Sequence, residues 1–152
     1  MKHAQDVTGW STNVEIEDSE AEIKKYLRRR GAQDCASQYV ESQQLLNVFF
    51  VWEGEPYTLQ YKPLEPRLSN RSDSAERMEA QAVRQMGRIA FNHVKVLMAM
   101  ALEGNHKEML LPYKPLTNGG PTLQQLGVAR MEEVLQAAMN GTLALPAPGV
   151  NK

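Results

Sequence analysis

The chain has 152 residues and a formal net charge of −1, with 42% hydrophobic and 23% charged residues. This composition is typical of a single globular domain, and it excludes a global attraction to nucleic acid or anionic lipid, so any such attraction needs a local patch. The single cysteine, Cys35, excludes an intrachain disulfide, and the N-terminal residues contain no apolar run of signal-peptide type, so we expect a cytoplasmic protein that does not bind membranes.

Residues 1–18 are predicted to form an N-terminal arm, polar overall but with scattered apolar side chains that allow part of it to dock on the body. Ser19 and Glu22 then have capping-box spacing, so we predict that a short helix begins at Ser19. Gly31 follows the helix, as expected of a residue just past a helix end. The apolar stripe of this helix consists of Ile23, Tyr26 and Leu27.

The next segments have the alternation of β-strands. "ASQYVES" alternates weakly, and "LLNVFFVWEGEPYTLQYKPL" alternates strongly around a predicted turn at residues 53–56. These segments predict a three-stranded antiparallel meander. The side chains predicted to share its apolar face are Leu46, Val48, Phe50 and Trp52, followed by Tyr57, Leu59 and Tyr61.

A long helix is predicted from a cap at Ser72, Asp73 or Ser74 to about Glu103, followed by Gly104. At about 1.5 Å per residue it would span roughly 45 Å and form the backbone of the domain. We expect its apolar arc to pack on Val48, Phe50 or Trp52 of the sheet. The helix residues expected in this contact are Ile89, Val96, Leu97 and Met100.

A C-terminal helix is predicted from Pro121 or Thr122 to Gly141, followed by a tail over residues 142–152. The fold class is therefore α+β, with a short helix, a three-stranded antiparallel meander, a long central helix and a C-terminal helix. Residues 19–141 form its single domain. The tetrapeptide Tyr-Lys-Pro-Leu occurs twice, at residues 61–64 and 113–116, which we interpret as two similar exits from extended structure.

The chain contains a short acidic strand leading into a capped helix at residues 14–32, and an apolar strand with a Gly turn at residues 49–64. An Arg-rich long helix ending in Glu and Gly follows at residues 82–104, and then the stretch 109–126 and a Leu/Pro-rich tail. Together these pieces resemble a family of small uncharacterised proteins encoded by bacteriophages and prophages. The resemblance implies a phage or mobile-element origin, and hence the host cytoplasm, and it implies no activity.

No catalytic, cofactor or metal fingerprint is present in the sequence, so we expect a non-enzymatic protein without metal or cofactor. His93 projects with apolar residues of the long helix and is predicted to be a buried, hydrogen-bonded histidine. Cys35 lacks the sequence context of a nucleophile. The acids near the first helix are of the kind that a metal-dependent nuclease uses, but the helix dipole is the simpler explanation. They are Glu15, Glu17, Asp18, Glu20 and Glu22.

Four cations of the long helix fall at spacings of seven, four and seven, within about 40° of one line. We call Arg77, Arg84, Arg88 and Lys95 the cationic ridge. A second basic face on the first helix consists of Lys24, Lys25, Arg28 and Arg29. If the two helices pack side by side, the two patches are expected to merge.

Three explanations of the ridge remain open. It binds nucleic acid, with Tyr39 or Tyr61 available for stacking, or it binds an acidic protein surface, or it is solvated or covered within the fold by the acidic stretch "EIEDSEAE". We predict that Arg77, Arg84 and Arg88 stay exposed and contact an acidic partner, because no acid of the helix shares their line.

The function predicted from these surfaces is that of a phage or mobile-element accessory protein that binds nucleic acid. The alternative is an inhibitor or adaptor that binds a host or phage protein, for example a defence enzyme or a nucleic-acid enzyme. The apolar arc of the long helix is wider than one sheet can cover, so either the C-terminal helix or a second subunit is expected to cover the remainder, and we favour a homodimer. The residues that widen it are Val83, Ala90, Val94 and Met98.

Overall fold

The structure is a computed structural model that describes residues 3–67, 74–117, 120–126 and 136. It confirms the predicted α+β fold with a helix, a meander and a long helix. Short 3₁₀ turns precede α1 and join β1 to β2. The elements are α1 (Ile16–Arg29), β1 (Gln33–Val40), β2 (Leu45–Trp52), β3 (Glu55–Tyr61), α2 (Ser74–Leu102) and a 3₁₀ segment (Lys107–Tyr113).

The sheet is antiparallel with the strand order β1-β2-β3. Trp52 pairs with Glu55, so the β2–β3 hairpin closes through the two residues Glu53 and Gly54. Both have positive φ, 52° and 79°, which matches the right-handed twist of the flanking strands and is easiest where one residue is glycine. The predicted turn is therefore confirmed.

One face of the sheet and the two helices enclose the core. The predicted apolar face of β2 is confirmed, because Leu46, Val48, Phe50 and Trp52 are all buried. The ring of Phe50 stacks on that of Tyr57 at a centroid distance of 5.3 Å. The helices contribute a buried set to the same cluster: Ile23, Leu27, Met86, Ala90, Val94, Leu97, Met98 and Ala101.

The face that α2 turns to the core differs from the predicted one. Leu97 is buried at 4% exposure, but Val96 is 61% exposed and Met100 is 39% exposed, so their predicted burial is wrong; Ile89 is half-buried. The buried positions instead recur mainly at every fourth residue, and three of them are alanines. Alanine lets the helix approach its neighbours closely. A prediction that places only bulky apolar residues in the core overlooks these alanines. The buried stripe is Ala82, Met86, Ala90, Val94, Leu97, Met98 and Ala101.

Helix α1 begins three residues earlier than predicted. Its first residue is Ile16, and the preceding Glu15 is extended without a side-chain capping bond. Ser19 therefore lies inside the helix, where it is fully buried, so the predicted capping role is wrong.

A close contact between α1 and α2 depends on Gly87. A Cβ atom built at this position would lie 2.8 Å from both Cβ and Oγ of Ser19, and 3.1 Å from Cδ1 of Ile16. Glycine and serine are small enough for the two helices to meet at this point. The contact places the first turns of α1 against the middle of α2.

The N-terminal arm docks on α2 through two glutamine side chains. Nε2 of the buried Gln85 donates hydrogen bonds to the carbonyl oxygens of Ala4, Val7 and Thr8, at 2.7, 3.0 and 3.1 Å. One turn earlier, Nε2 of Gln81 donates to the carbonyl oxygen of Thr12 at 2.7 Å. The expectation that part of the arm docks on the body is confirmed.

The start of the predicted C-terminal helix is described as a helical turn over residues 123–126. Thr122 caps it reciprocally: its N–H donates to Oε1 of Gln125 at 2.8 Å, and the N–H of Gln125 donates to Thr122 Oγ1 at 3.2 Å. The side-chain amide of Gln124 pairs with the backbone of Gln60 on β3. Apart from residue 136, which is helical, the remainder of this helix lies outside the described residues, as do the tail 142–152 and the candidate caps Ser72 and Asp73.

Candidate binding surfaces

The middle of the cationic ridge faces α1 and is paired within the fold. Nη2 of Arg88 donates to Oγ of Ser19 at 2.8 Å and to Oε2 of Glu22 at 2.6 Å, and Nε donates to the same Oγ at 3.1 Å. Its guanidinium also lies over the ring of Phe91, 5.1 Å from the centroid. The side chain is only 20% exposed. Arg88 therefore holds α1 against α2.

The neighbouring cations of the ridge are also engaged. Nε of Arg84 lies 3.0 Å from Oε1 of Glu15, and the side chain is 32% exposed. Nζ of the half-buried Lys95 lies 4.4 Å from the centroid of Phe91. Arg77, at the start of α2, is exposed.

The prediction that Arg84 and Arg88 stay exposed is therefore wrong. Their partners Glu15 and Glu22 both belong to the acidic stretch "EIEDSEAE", as one of the three open explanations expects. The two helices do pack side by side, but the basic patches do not merge, because Glu22 stands between them. A helix that lacks acids on its own cationic line thus receives them from another element.

The second basic face remains on the surface of α1, and we call it the α1 basic face. Lys25, Arg28 and Arg29 are exposed and Lys24 is half-buried. No ion pair is found for any of the four among residues that the structure describes. At about 100° per residue they occupy an arc of about 140°, opposite the buried side of the helix.

The dipole of α1 accounts for part of this arrangement. The exposed acids Glu17 and Asp18 lie in its first turn, whereas Arg28 and Arg29 lie in its last turn. Each sign is favoured at the end where it is found. The dipole does not account for Lys24 and Lys25, which lie in the middle of the helix and extend the face by another turn.

A second surface, which the sequence does not predict, is a groove of about 700 Å³ between the sheet, the segment after β3 and the first turns of α2. Its apolar part includes Pro63, Leu64 and Val83. The described residues that line it include four glutamates and no cation. The lining consists of Tyr39, Glu41, Gln44, Pro63, Leu64, Glu65, Pro66, Glu76, Glu79, Ala80, Ala82 and Val83. We call it the acidic groove.

The two tyrosines considered for base stacking lie elsewhere than on the α1 basic face. Tyr39 is half-buried in the acidic groove, where burial and then the charge of Glu41 raise the pKa of its phenol. Tyr61 lies on the opposite edge strand, β3, where His93 engages its hydroxyl and burial raises the pKa of its phenol. The ring of Tyr61 is thus taken up by the contact with His93, whereas the backbone N–H of Tyr39 donates to Oε1 of Glu20 on α1 at 2.8 Å.

His93 lies between two phenols. The hydroxyl of Tyr61 is 2.7 Å from Nδ1, and the hydroxyl of Tyr113 is 3.3 Å from Nε2. Both rings meet the imidazole edge-on, at centroid distances of 5.7 and 5.8 Å. Burial lowers the pKa of His93 and raises that of Tyr113, so the cluster is neutral at pH 7. The prediction of a hydrogen-bonded histidine is confirmed, although the ring is half-buried.

The two copies of Tyr-Lys-Pro-Leu supply these phenols, because Tyr61 and Tyr113 are their first residues. Since both ring nitrogens of His93 are engaged, the imidazole joins β3, α2 and the 3₁₀ segment and has no nitrogen left for a substrate. The repeat can be seen in the sequence, but the sequence does not show that both of its tyrosines contact the same histidine.

The remaining candidates are the Cys35 thiol and the acidic residues. Burial raises the pKa of the half-buried Cys35 thiol, although the nearby Arg28 acts in the opposite direction. A raised pKa disfavours the thiolate that a nucleophile requires. In the described part of the chain, no three histidine, cysteine or acidic residues converge on a point that suits a metal ion. No described helix has the length and apolar character needed to cross a membrane.

Comparisons of this chain with models of protein families, with curated proteins and with solved structures found no match. No relative therefore assigns an activity to the chain. The chemistry of its two candidate surfaces, the α1 basic face and the acidic groove, is the basis for a proposed function.

Proposed function

We propose that this protein is a non-enzymatic accessory protein of a phage or mobile element, and that it binds nucleic acid through the α1 basic face. The observation that supports the proposal is the contrast between the two helices. Arg84 and Arg88 of α2 are neutralised by acids of the same chain, whereas Lys25, Arg28 and Arg29 extend from the surface of α1 without an ion pair among the described residues.

The chemistry of this face suits phosphates better than bases. Lys24 and Arg28, like Lys25 and Arg29, are four residues apart, so each pair presents two cations about 6 Å apart along the helix axis. Lysine and arginine neutralise phosphates and release counterions, which gives sequence-independent and salt-dependent binding. Because contacts to phosphates carry no sequence information, we expect little discrimination between base sequences.

The test is the affinity for fluorescein-labelled single-stranded and duplex DNA and for RNA of mixed sequence, measured by fluorescence anisotropy. The variant K25Q/R28Q/R29Q removes the three exposed cations of the face. Its matched control, K62Q/R67Q/K107Q, removes three exposed cations from other surfaces and changes the net charge equally. We expect the first variant to lose affinity for every sequence and the control to bind like the wild type. Equal affinities of the two variants would contradict the proposal.

The second candidate function is that of an inhibitor or adaptor that binds an acidic protein surface through the same face. The mixed charge of α1 favours it, because the exposed Glu17 and Asp18 on the same helix repel a continuous phosphate backbone but tolerate a protein surface of both signs. Pull-downs from infected cells, with and without nuclease treatment, separate the two candidates. Partners that survive nuclease treatment and are lost with K25Q/R28Q/R29Q support the second.

We also propose a homodimer, but the residues that support it differ from those expected from the sequence. Ala90, Val94 and Met98, which were expected to need the C-terminal helix or a second subunit, are buried within the single chain. Val96 and Met100 are instead exposed, one turn apart on α2. We propose that a second copy covers them, with the half-buried Ile89 at the edge of the contact.

A further inference from the structure

The acidic groove joins three separate segments of the chain. The turn between β1 and β2 contributes Glu41, the segment after β3 contributes Glu65, and the first turns of α2 contribute Glu76 and Glu79. The dipole of α2 favours an acid such as Glu76 in its first turn. It does not account for Glu41 and Glu65, so the gathering of the four carboxylates is not a simple helix-end effect.

We infer that the acidic groove binds a short basic segment of a partner protein, in which lysine or arginine side chains flank an apolar side chain. The inference is independent of the proposed function, because the groove shares no residue with the α1 basic face. It gives the protein a second binding site, of opposite charge to the first.

The charge of the groove selects a cationic occupant. Its four glutamates are exposed, and no ion pair is found for any of them among the described residues. None of the twelve lining residues in the described part of the chain is lysine, arginine or histidine. Clefts lined by one sign of charge focus the field on their interior, so the groove attracts cations and repels phosphates. Nucleic acid is therefore disfavoured as its occupant.

The apolar lining and the volume select a peptide over a simple cation. Pro63, Leu64, Ala82 and Val83 give the groove an apolar surface that suits an apolar side chain. The volume of about 700 Å³ lies within the range of about 300–1,000 Å³ that is usual for ligand sites. No convergent set of ligands in the described chain suits a metal ion. A segment with both cationic and apolar side chains satisfies both parts of the lining.

The test uses a short fluorescein-labelled peptide in which lysine and arginine alternate with leucine and proline. Two further peptides replace either every cation by glutamine or every leucine by serine. Anisotropy titrations compare wild type with E41Q/E76Q/E79Q and with the matched control E17Q/D18N/D34N, which removes three exposed acids outside the groove. Circular dichroism confirms that each variant is folded.

We expect the basic peptide to bind wild type and the control variant equally, and E41Q/E76Q/E79Q at least tenfold more weakly. The glutamine and serine peptides are each expected to bind wild type at least tenfold more weakly than the basic peptide. The inference is overturned if wild type does not bind the basic peptide, if the groove variant binds it normally, or if either altered peptide binds equally well. In particular, equal binding of the serine peptide would show an attraction for cations only.

Ala80 offers a second variant that leaves the acids in place. It is exposed on α2 and lines the groove, so Ala80→Arg directs a cation of the same chain into the site. We expect this variant to lose peptide binding and to keep the stability of wild type, whereas Asn92→Arg, at an exposed position of α2 outside the groove, keeps both. Peptide binding that survives Ala80→Arg would place the binding site elsewhere.

The variant K25Q/R28Q/R29Q is expected to keep peptide binding. This result separates the inference from the proposed function, which the same variant tests.

Discussion

The hydroxyl of Tyr61 lies 2.7 Å from Nδ1 of His93, and this contact joins the last residue of β3 to the middle of α2. Tyr113 closes the other side of the imidazole at 3.3 Å, so three elements meet at one ring. The cluster contains no carboxylate and no cationic side chain. We therefore expect its hydrogen bonds to contribute to the stability of the fold.

Removing one phenol hydroxyl is expected to destabilise the fold. Tyr61→Phe leaves a half-buried imidazole nitrogen without its partner, and we expect a loss of about 1–3 kcal/mol in the free energy of unfolding. Tyr113→Phe removes the longer contact and is expected to lose less. Urea denaturation measures both values. A larger loss for Tyr113→Phe than for Tyr61→Phe would contradict the assigned geometry.

The lowered pKa of His93 predicts a pH dependence of stability. Its folded-state pKa lies below the unfolded value of about 6.5, so the unfolded chain takes up the proton first as the pH falls. The stability due to neutral His93 is therefore complete above about pH 6.5 and is lost as the pH falls toward the lower folded pKa. The slope cannot exceed about 1.4 kcal/mol per pH unit for one proton.

Urea denaturation between neutral and mildly acidic pH measures this slope. His93→Gln is expected to flatten the slope, whereas His106→Gln, at an exposed histidine, leaves it in place. A wild-type slope that His93→Gln does not change would contradict the prediction.

The contact between Gly87 and Ser19 predicts that a residue with better helix propensity weakens the protein. Alanine stabilises a helix interior by about 1 kcal/mol over glycine, but its Cβ would lie 2.8 Å from two atoms of Ser19. We expect Gly87→Ala to lower the free energy of unfolding by about 1–3 kcal/mol, because overpacking outweighs propensity. Asn92→Ala, at an exposed position of the same helix, serves as the control and is expected to change little. A stabilised Gly87→Ala variant would show that the helices separate easily.

The two paired arginines of α2 are expected to differ in their contribution to stability. Arg88→Ala leaves the buried Ser19 hydroxyl and Glu22 without their partner, and we expect a loss of about 2–3 kcal/mol. Arg84→Ala breaks a more exposed pair with Glu15 and is expected to lose under about 1 kcal/mol. Thermal and urea unfolding of both variants test the order. The reverse order would contradict the assignment of Arg88 to the contact between the helices.

The exposed pair on α2 predicts the oligomeric state. Light scattering at micromolar concentration is expected to report a dimer for wild type and a monomer for Val96→Glu/Met100→Glu, with the fold retained. The matched variant Met109→Glu/Leu111→Glu changes exposed apolar residues of the 3₁₀ segment and is expected to remain dimeric. A monomeric wild type would exclude the homodimer.

The strands were predictable because alternation has a short period and is visible within eight residues. Leu46, Val48 and Phe50 share one face by that rule alone, and the hairpin at Glu53 and Gly54 follows from local turn chemistry. The face of α2 was harder to predict, because its apolar arc is wide. We predicted that the bulky Val96 packs on the sheet, but Val96 is exposed and the small Ala90 is buried.

The charge of the surfaces was harder to predict, because it depends on contacts between segments that are distant in the chain. Local sequence patterns do not reveal such contacts. Arg88 meets Glu22, 66 positions earlier in the chain, so a ridge that looks unpaired on its own helix is paired in the fold. The acidic groove likewise gathers Glu41, Glu65 and Glu79 from three segments. The α1 basic face was recognisable from sequence because all its members belong to one helix.

The salt dependence of DNA binding tests the central claim most directly, namely that the α1 basic face contacts phosphates. The logarithm of the association constant is measured against the logarithm of the salt concentration for wild type and for K25Q/R28Q/R29Q. Four phosphate contacts predict a wild-type slope of about −3.6 on duplex DNA, and the variant is expected to lose about one unit of slope for each contact removed. Identical slopes for the two proteins, or no measurable binding by wild type, would contradict the claim.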